Sequence, residues 1–489
     1  MFDSTLQSKL TQAADSSNSQ GNPAQDEVRI QIGSHSFSLR AALLAIIIVS
    51  VGLRVVSALF QGNAIDTLPG VWDQVSYDGL ARRLLDGHGF SFGEPWWPAT
   101  RANEPTAHWS YLYTLFLTGL YAVAGAQPLL ARLLQALIVG VLHPWLAWRL
   151  GKRVFGPSAG ILAAFFSAIY IYFFYYGGAL VTETMYITAL LWMFDVALRL
   201  YDRPFETPWR WIELGLAIGV AALLRQLVLL YVPFLFLWLW WRTGALHASQ
   251  HNRPQIEGAY SGLNYEGKLS VRLRRMFSMR SLSGFVYATI IVFMLIIPWT
   301  VRNYLAFGTF TPLNTNAGYV LFWGNHPIYG THFVGILPGE TAYYDLIPKE
   351  LLPLNEAALD QALLKVGLGF ITADPVRYFW LSLSRIAEYF KFWPSAESGT
   401  ISNLSRVASF GIFLPLIIYG LWSAFFTWRK QLQPEQQSAT FLLLSFVLIY
   451  TAMHLLTWAL VRYRLPVDAI FLLFAAFGAQ NLLNRNQIV

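Results

Sequence analysis

Cysteine is absent from the chain, which excludes disulfides, thiolate catalysis and cysteine metal sites. Charge is scarce: Asp, Glu, Lys and Arg make up 12% of the residues, against about 25% in soluble domains. A chain so poor in charge cannot hydrate most of its surface, so lipid must solvate it. Phosphate-cradling GxxxxGK[ST] and GxGxxG loops are missing, as are nucleophilic hydrolase motifs, and nothing points to direct use of a nucleotide. No repeat of about 20–50 residues runs through the sequence, which argues against a solenoid. The first 38 residues, rich in Ser, Gln, Asn and Asp, lack the basic and apolar pattern of a cleaved signal. Segment 1–38 reads as a disordered cytoplasmic tail before an uncleaved first helix.

What is present is a series of long apolar runs. Hydrophobic residues make up 55% of the chain and the mean hydropathy is +0.44. Nineteen tryptophans and 24 tyrosines suit interfacial belts, where an apolar ring with one polar atom is well placed. A spanning helix needs roughly 20 apolar residues. That length is met at 41–60, 128–149, 157–176, 181–200, 285–301, 404–428, 438–459 and 464–483. The run 211–241, about 31 residues, is too long for one straight span and fits two short ones broken near Arg225-Gln226. Segments 109–126 and 377–393 are weaker and either cross or lie in the interface. The expected fold is an all-α polytopic bundle over 39–484, with about 10 crossings, or about 12 if both weak segments span.

The formal net charge of +7 does not indicate nucleic-acid binding, because the basic residues cluster in loops between apolar runs. Arg149, Lys152 and Arg153 form one cluster. Arg253, Lys268, Arg272, Arg274 and Arg275 form a second, in the loop 242–284, and Arg429 and Lys430 a third. Placing all three in the cytoplasm puts the N-terminus there too. The opposite face then carries the loop 61–108, the turn 177–184, the large loop 302–377 and the Arg462–Arg464 turn. Loop 61–108 far exceeds the usual length of roughly 4–6 residues, and such loops tend to be functional. Within it, Leu80, Leu84 and Leu85 share a helical face, predicting a short amphipathic helix on the membrane that ends at Gly87 and Gly89.

Ionisable residues at a bilayer edge are costly and mark candidate sites. Asp73 is a candidate base, since a partly desolvated carboxylate can take a proton from a hydroxyl. The structural alternative is that Asp73 or Ser76 caps the helix that follows. Asp78 reads mainly as a solvated helix residue. Arg225, Arg302, Arg462 and Arg464 lie at helix ends, where a guanidinium either binds phosphate bidentately or snorkels. Glu183 either orients an arginine, meets a sugar hydroxyl, ligates a metal or caps a helix. Glu104 and His108, spaced i, i+4, suggest a shared helix face and a weak divalent-metal site. His326 is a polar loop residue that can meet sugar or phosphate. Asp195 and Asp468 fall inside apolar runs and should pair with polar groups there.

The run D-x-x-x-Y-x-x-x-A-x-x-L-x-x-G-x-G-F from Asp73 resembles the first external loop of bacterial membrane glycosyltransferases of the GT-C fold. These are the polyprenyl-phosphate-sugar enzymes similar to protein O-mannosyltransferases and aminoarabinose lipid A transferases. PWTVRNYLAFGTFTPLNTNAGYVLFWGNHP at 298–327, which contains Asn303, and RYRLPVDAIFLLFAA at 462–476 resemble two further stretches. Looser likenesses lie at 131–156, 182–194 and 224–233. The chain departs from the pattern at Gln74, where many relatives have a second acid, at Glu104-Pro105-Thr106, and at Gln226, where Arg-Pro is common.

The resemblance implies a GT-C helix bundle in which Asp73 deprotonates an acceptor hydroxyl. That oxygen attacks the anomeric carbon with inversion and expels polyprenyl phosphate, whose charge the arginines neutralise. Asp78, Glu104, His108, Glu183, Asn303 and His326 would support the sugar or substrate. No cofactor is required, and a divalent metal is the minor alternative. The partners implied are a polyprenyl-phosphate sugar (hexose or pentose), a protein, lipid or polysaccharide acceptor, and membrane lipids. The setting implied is a bacterial-type inner membrane with the site on the extracytoplasmic side. Two other classes remain open: a transporter or flippase, which should show inverted repeats, and a glycan polymerase or ligase.

Overall fold

A computed structural model describes residues 29–32, 35–68, 72–204, 207–250, 279–339, 341–396, 398–427 and 432–485. Helices dominate it, and each apolar run foreseen in the sequence is helical. Six are long and apolar enough by themselves to cross a membrane: Leu39–Gln61, Pro128–Phe155, Leu282–Phe307, Thr400–Phe426, Pro434–Leu456 and Val461–Asn484. Pro157–Ile169 and Ile171–Gly177 make a seventh if taken as one span bent by 57°. The three other expected crossings fall short of that test. Glu183–Asp202 carries Glu183, Asp195, Arg199 and Asp202, while Trp209–Leu224 and Val232–Trp241 are short.

Local chemistry sets the boundaries. Proline, whose missing N–H is no loss in a first turn, opens the helices at Pro128, Pro157, Pro375 and Pro434. Side chains of Ser110 and Asn355 accept N–H groups at the starts of two others, and Asp374 does the same for the helix that opens at Pro375. Helices that cross within lipid gain little from hydrophobicity and pack through small residues instead. Gly420 shows how close they come: a Cβ there would lie 1.9 Å from the Phe474 carbonyl oxygen of the last helix.

The main apolar core runs through the spanning helices. A second, largely aromatic core sits in the extramembrane part, where Tyr319, Phe322, Trp323, Tyr343, Tyr389 and Trp458 are buried together. It joins Ala317–Asn325 to Glu356–Ala373 and Pro375–Tyr389. The stretch 302–377 is therefore a packed helical unit rather than an open loop, and its first residues belong to Met279–Phe307.

Two further expectations are revised. Arg29–Ile32 and His35–Ser38 pair antiparallel, Arg29 opposite Ser38, so the end of the 1–38 tail forms a hairpin. The predicted amphipathic helix exists as Asp73–Leu85, with Gly87 and Gly89 at positive φ just beyond it. It does not lie freely on lipid, however: Leu80 is fully buried and Tyr77 packs edge-on against Tyr113 of the Tyr111–Ala124 helix. Of the apolar face foreseen, protein covers Leu80, while Leu84 is half-buried and Leu85 stays exposed. Residues 1–28 of the tail, the basic residues between 251 and 278, and Arg429 and Lys430 lie outside the described residues.

Candidate active site

Two carboxylates and two guanidiniums meet where four helical elements begin or break. Asp73 is the first residue of Asp73–Leu85, whose N-terminal flank, Trp72, makes no side-chain cap bond. The capping alternative for Asp73 therefore fails, while the helix N-terminus still favours a negative charge there. Glu183 is likewise the first residue of Glu183–Asp202. Arg225 sits in extended conformation between Trp209–Leu224 and the 3-10 turn Gln226–Leu230, at the break the sequence predicted. Arg462 lies in the 3-10 turn Val461–Arg464 that leads into the last helix. Interrupting a helix releases the guanidinium stem from the helical repeat and lets it reach sideways.

The four form an alternating chain. Arg462 Nη1 donates to Asp73 Oδ2 at 2.5 Å and lies 3.5 Å from Glu183 Oε1. Arg225 Nη2 donates to the same Glu183 oxygen at 2.5 Å, and its Nε donates to Thr182 Oγ1 at 3.1 Å. Glu183 is 1% exposed, while Asp73 and Arg462 keep 16% each and Arg225 19%, so the three groups around it can meet a ligand. Glu183 Oε2 and Arg462 Nε have no hydrogen-bond partner among the described residues. Aromatic faces wall the cluster: Arg462 lies 5.2 Å from the Tyr463 ring centroid, and Arg225 lies 5.9 Å from both Tyr463 and Tyr186. Burial, and next the Asp73 charge, push the nearby Tyr77 hydroxyl above its ordinary range.

Around this centre stand residues to which the sequence reading gave no role in the site. Gln74 Oε1 accepts from Arg132 Nη2 and from Leu180 N, both at 2.9 Å, tying Asp73's neighbour to the turn before Glu183. Gln226 exchanges two 3.0 Å hydrogen bonds with the Asn314 backbone. Buried Glu356 accepts from Thr100 Oγ1 at 2.6 Å, Ala107 N at 2.7 Å and Thr315 Oγ1 at 2.6 Å, pinning 100–107 to 315. A neighbouring buried carboxyl, Asp360, accepts from Gly318 N and Tyr319 N, and burial pushes its pKa up to about 7. The sequence carried one faint signal for these: Glu356 and Asp360 are i, i+4, the two acids of a largely apolar helix.

The remaining candidates lie apart from the cluster. Arg464 is fully buried, donates to Asp468 at 2.8 Å and to the Tyr389 carbonyl at 2.8 Å, and lies 3.7 Å from the Phe410 centroid. With no exposed surface it does not fit a phosphate ligand. Asp468, which also accepts from Tyr170, and Asp195, held by Arg149 and Arg199, are the interior pairs expected of them. Asp78 is not solvated: it is buried, pairs with Arg82 and accepts from the Tyr121 hydroxyl at 2.7 Å. Asn303 is fully buried, its carbonyl oxygen accepting from Tyr111 and its amide donating to the Thr311 and Leu313 carbonyls. Glu104 and His108 share no helix: Glu104 pairs with Arg101 at the surface. His108 Nδ1 lies 2.9 Å from the Thr315 carbonyl, and burial lowers its pKa. Among the described residues no group of three His, Asp or Glu is placed to hold a metal. His326 caps the Pro327–Tyr329 turn and packs on Phe322 and Phe370. Arg302 occupies a separate cavity.

Residues 109–259 match the family described as dolichyl-phosphate-mannose-protein mannosyltransferase. No curated protein matches the chain in sequence. In structure, it is similar to the Archaeoglobus fulgidus oligosaccharyltransferase in its apo form, at 13% identity and a TM-score of 0.54. It is also similar to AglB of the same organism in complex with an inhibitory peptide and a dolichol-phosphate, at 16% identity and a TM-score of 0.55. Each alignment covers 92% of this chain and 51% of the other, so the chain spans about half the length of these archaeal proteins. ArnT from Cupriavidus metallidurans bound to undecaprenyl phosphate aligns over 92% of this chain and 77% of its own, at 12% identity and a TM-score of 0.33. The chain has the GT-C fold.

Proposed function

We propose that the chain is an integral membrane glycosyltransferase. It moves a hexose or pentose from a polyprenyl-phosphate donor to a hydroxyl of a protein, lipid or polysaccharide acceptor. The observation that carries this reading is the Asp73–Arg462–Glu183–Arg225 cluster, set at helix breaks in a chain of this fold. The family matched over 109–259, whose description names a dolichyl-phosphate mannose donor, supports the donor class.

In this mechanism the donor phosphate enters beside Arg462 and Arg225, whose forks bind its oxygens. The phosphate takes over part of Arg462's pairing and frees Asp73. Asp73 then accepts the proton of the acceptor hydroxyl as its oxygen attacks the anomeric carbon. The bond from that carbon to the phosphate oxygen breaks, its electron pair leaves with the phosphate, and the configuration inverts. Glu183 holds both guanidiniums at one place, so stabilisation of the leaving charge is built in before reaction. The reading assigns no cofactor, and it sets the site on the extracytoplasmic side of a bacterial-type inner membrane with the N-terminus in the cytoplasm.

The test is loss of label from a panel of labelled polyprenyl-phosphate sugars by the purified protein in liposomes, wild type beside Asp73→Asn. Turnover that requires Asp73 supports the transferase. No turnover with any donor, together with lipid movement between leaflets, would replace it with a transporter.

A further inference from the structure

Arg302 lines a cavity of about 640 Å³ between the 88–105 segment and the Met279–Phe307 helix. One side is polar, with His88, Ser91, Asn103 and Arg302; the other is apolar, with Val301 and Leu305. Its volume falls in the range of roughly 300–1,000 Å³ typical of ligand sites. Among the described residues no carboxylate lines it.

The cations around it are held but not neutralised. Arg302 donates from Nη1 to the Thr106 carbonyl at 2.8 Å and to Asn303 Oδ1 at 3.1 Å, and from Nη2 to the Phe90 carbonyl at 3.3 Å. Arg83 Nη2 donates to Asn103 Oδ1 at 2.8 Å and Ser91 Oγ at 3.2 Å. All these acceptors are neutral, and neither arginine pairs with a carboxylate among the described residues. Arg225 and Arg462, by contrast, are both paired with acids. The floor is fixed: Thr106 N donates to the Phe90 carbonyl at 2.8 Å and Asn103 N to Phe92 at 2.7 Å. The Phe90 ring lies edge-on against the stacked rings of Tyr111 and Trp299. The apolar wall continues along a candidate span, where Val301 and Leu305 are 51% and 80% exposed.

Uncompensated positive charge beside a lipid-facing apolar wall is the complement of an anionic amphiphile. We propose that this cavity binds the phosphate headgroup of an anionic membrane phospholipid, with its acyl chains along Val301 and Leu305. None of Asp73, Glu183, Arg225 and Arg462 is among the residues that line the cavity. Bound there, the lipid would fasten the 86–106 segment to the membrane surface. Free phosphate offers the same charge without the chains, and the test separates the two.

The experiment follows the melting temperature of the full chain in zwitterionic detergent, with no sugar donor, so it stands or falls independently of the transferase reading. Phosphatidylglycerol, phosphatidylcholine and inorganic phosphate are titrated separately. The expected result is a rise with phosphatidylglycerol alone, with at least a 10-fold weaker apparent affinity in Arg302→Gln and in Asn103→Asp. Asn103→Asp keeps the acceptor for Arg83 and suits the left-handed backbone there (φ 61°) while adding a negative charge to the wall. It therefore decides the matter if Arg302→Gln fails to fold. Equal shifts with phosphatidylcholine, a shift with inorganic phosphate alone, or an undiminished response in Asn103→Asp would overturn the proposal.

Discussion

Arg462 and Asp73, 389 residues apart in sequence, are joined by a 2.5 Å hydrogen bond at one end of a four-charge cluster. If Asp73 is the base, this bond orders the reaction: the carboxylate becomes free once a phosphate engages Arg462. Asp73→Asn keeps the shape and removes the proton acceptor, so transfer should fall by about 10²–10⁴-fold with normal expression and melting. Donor turnover in liposomes checks it, and retained turnover removes Asp73 from the base role.

Glu183 touches both arginines through one oxygen and should act as a positioning residue. Glu183→Gln leaves a neutral acceptor between two guanidiniums that then repel each other. The expected outcome is a rise of about 10-fold in the donor KM, with kcat changed less, because the forks lose alignment before chemistry begins. Steady-state kinetics over donor concentration decide this. A fall in kcat at unchanged KM would assign Glu183 to the chemical step instead.

Arg464 should behave as a structural residue. Its guanidinium and the Asp468 carboxylate are 0% and 1% exposed. Removing one partner of a buried pair strands the other and costs about 3–5 kcal/mol. Arg464→Ala should therefore lower yield and melting temperature sharply, while Arg464→Met with Asp468→Leu recovers much of the loss. Folded single mutant with ordinary stability and weakened donor binding would return Arg464 to the phosphate site.

The difference between Arg462 and Arg464 shows what the sequence could and could not reveal. Both sit at the mouth of an apolar run in the same RYR motif, and residue type alone ranks them equally. A tight turn directs one toward Asp73 and the other into the bundle toward Asp468, which lies i, i+4 in the last helix. Helix positions and the break at Arg225 were legible because lipid imposes length and apolarity on every span. Asp73, Glu183, Arg225 and Arg462 were legible as costly charges at span ends. What was hidden is tertiary pairing: Glu104 and His108 kept helical spacing in a segment that is not a helix, and Glu356 and Asp360 showed little sign of their long-range partners.

Asp360 gives a prediction about pH. Its pKa rises from 3.8 to about 7, chiefly through burial, so the folded state holds a proton that the unfolded state has released between those values. Its contribution to stability is fully present below pH 3.8 and is lost as pH rises through 7. Asp360→Asn retains an oxygen to accept from Gly318 and Tyr319 but cannot ionise. Between about pH 4 and 7 the variant should lack one component of the decline in melting temperature, ending roughly 2–4 °C above wild type relative to its acidic value. Burial lowers His108 and gives the opposite sign, stability gained as pH rises through the window below 6.5, so the comparison must be made between the two proteins at each pH. Parallel melting curves for wild type and Asp360→Asn would show that the Asp360 carboxyl is already ionised in the folded state.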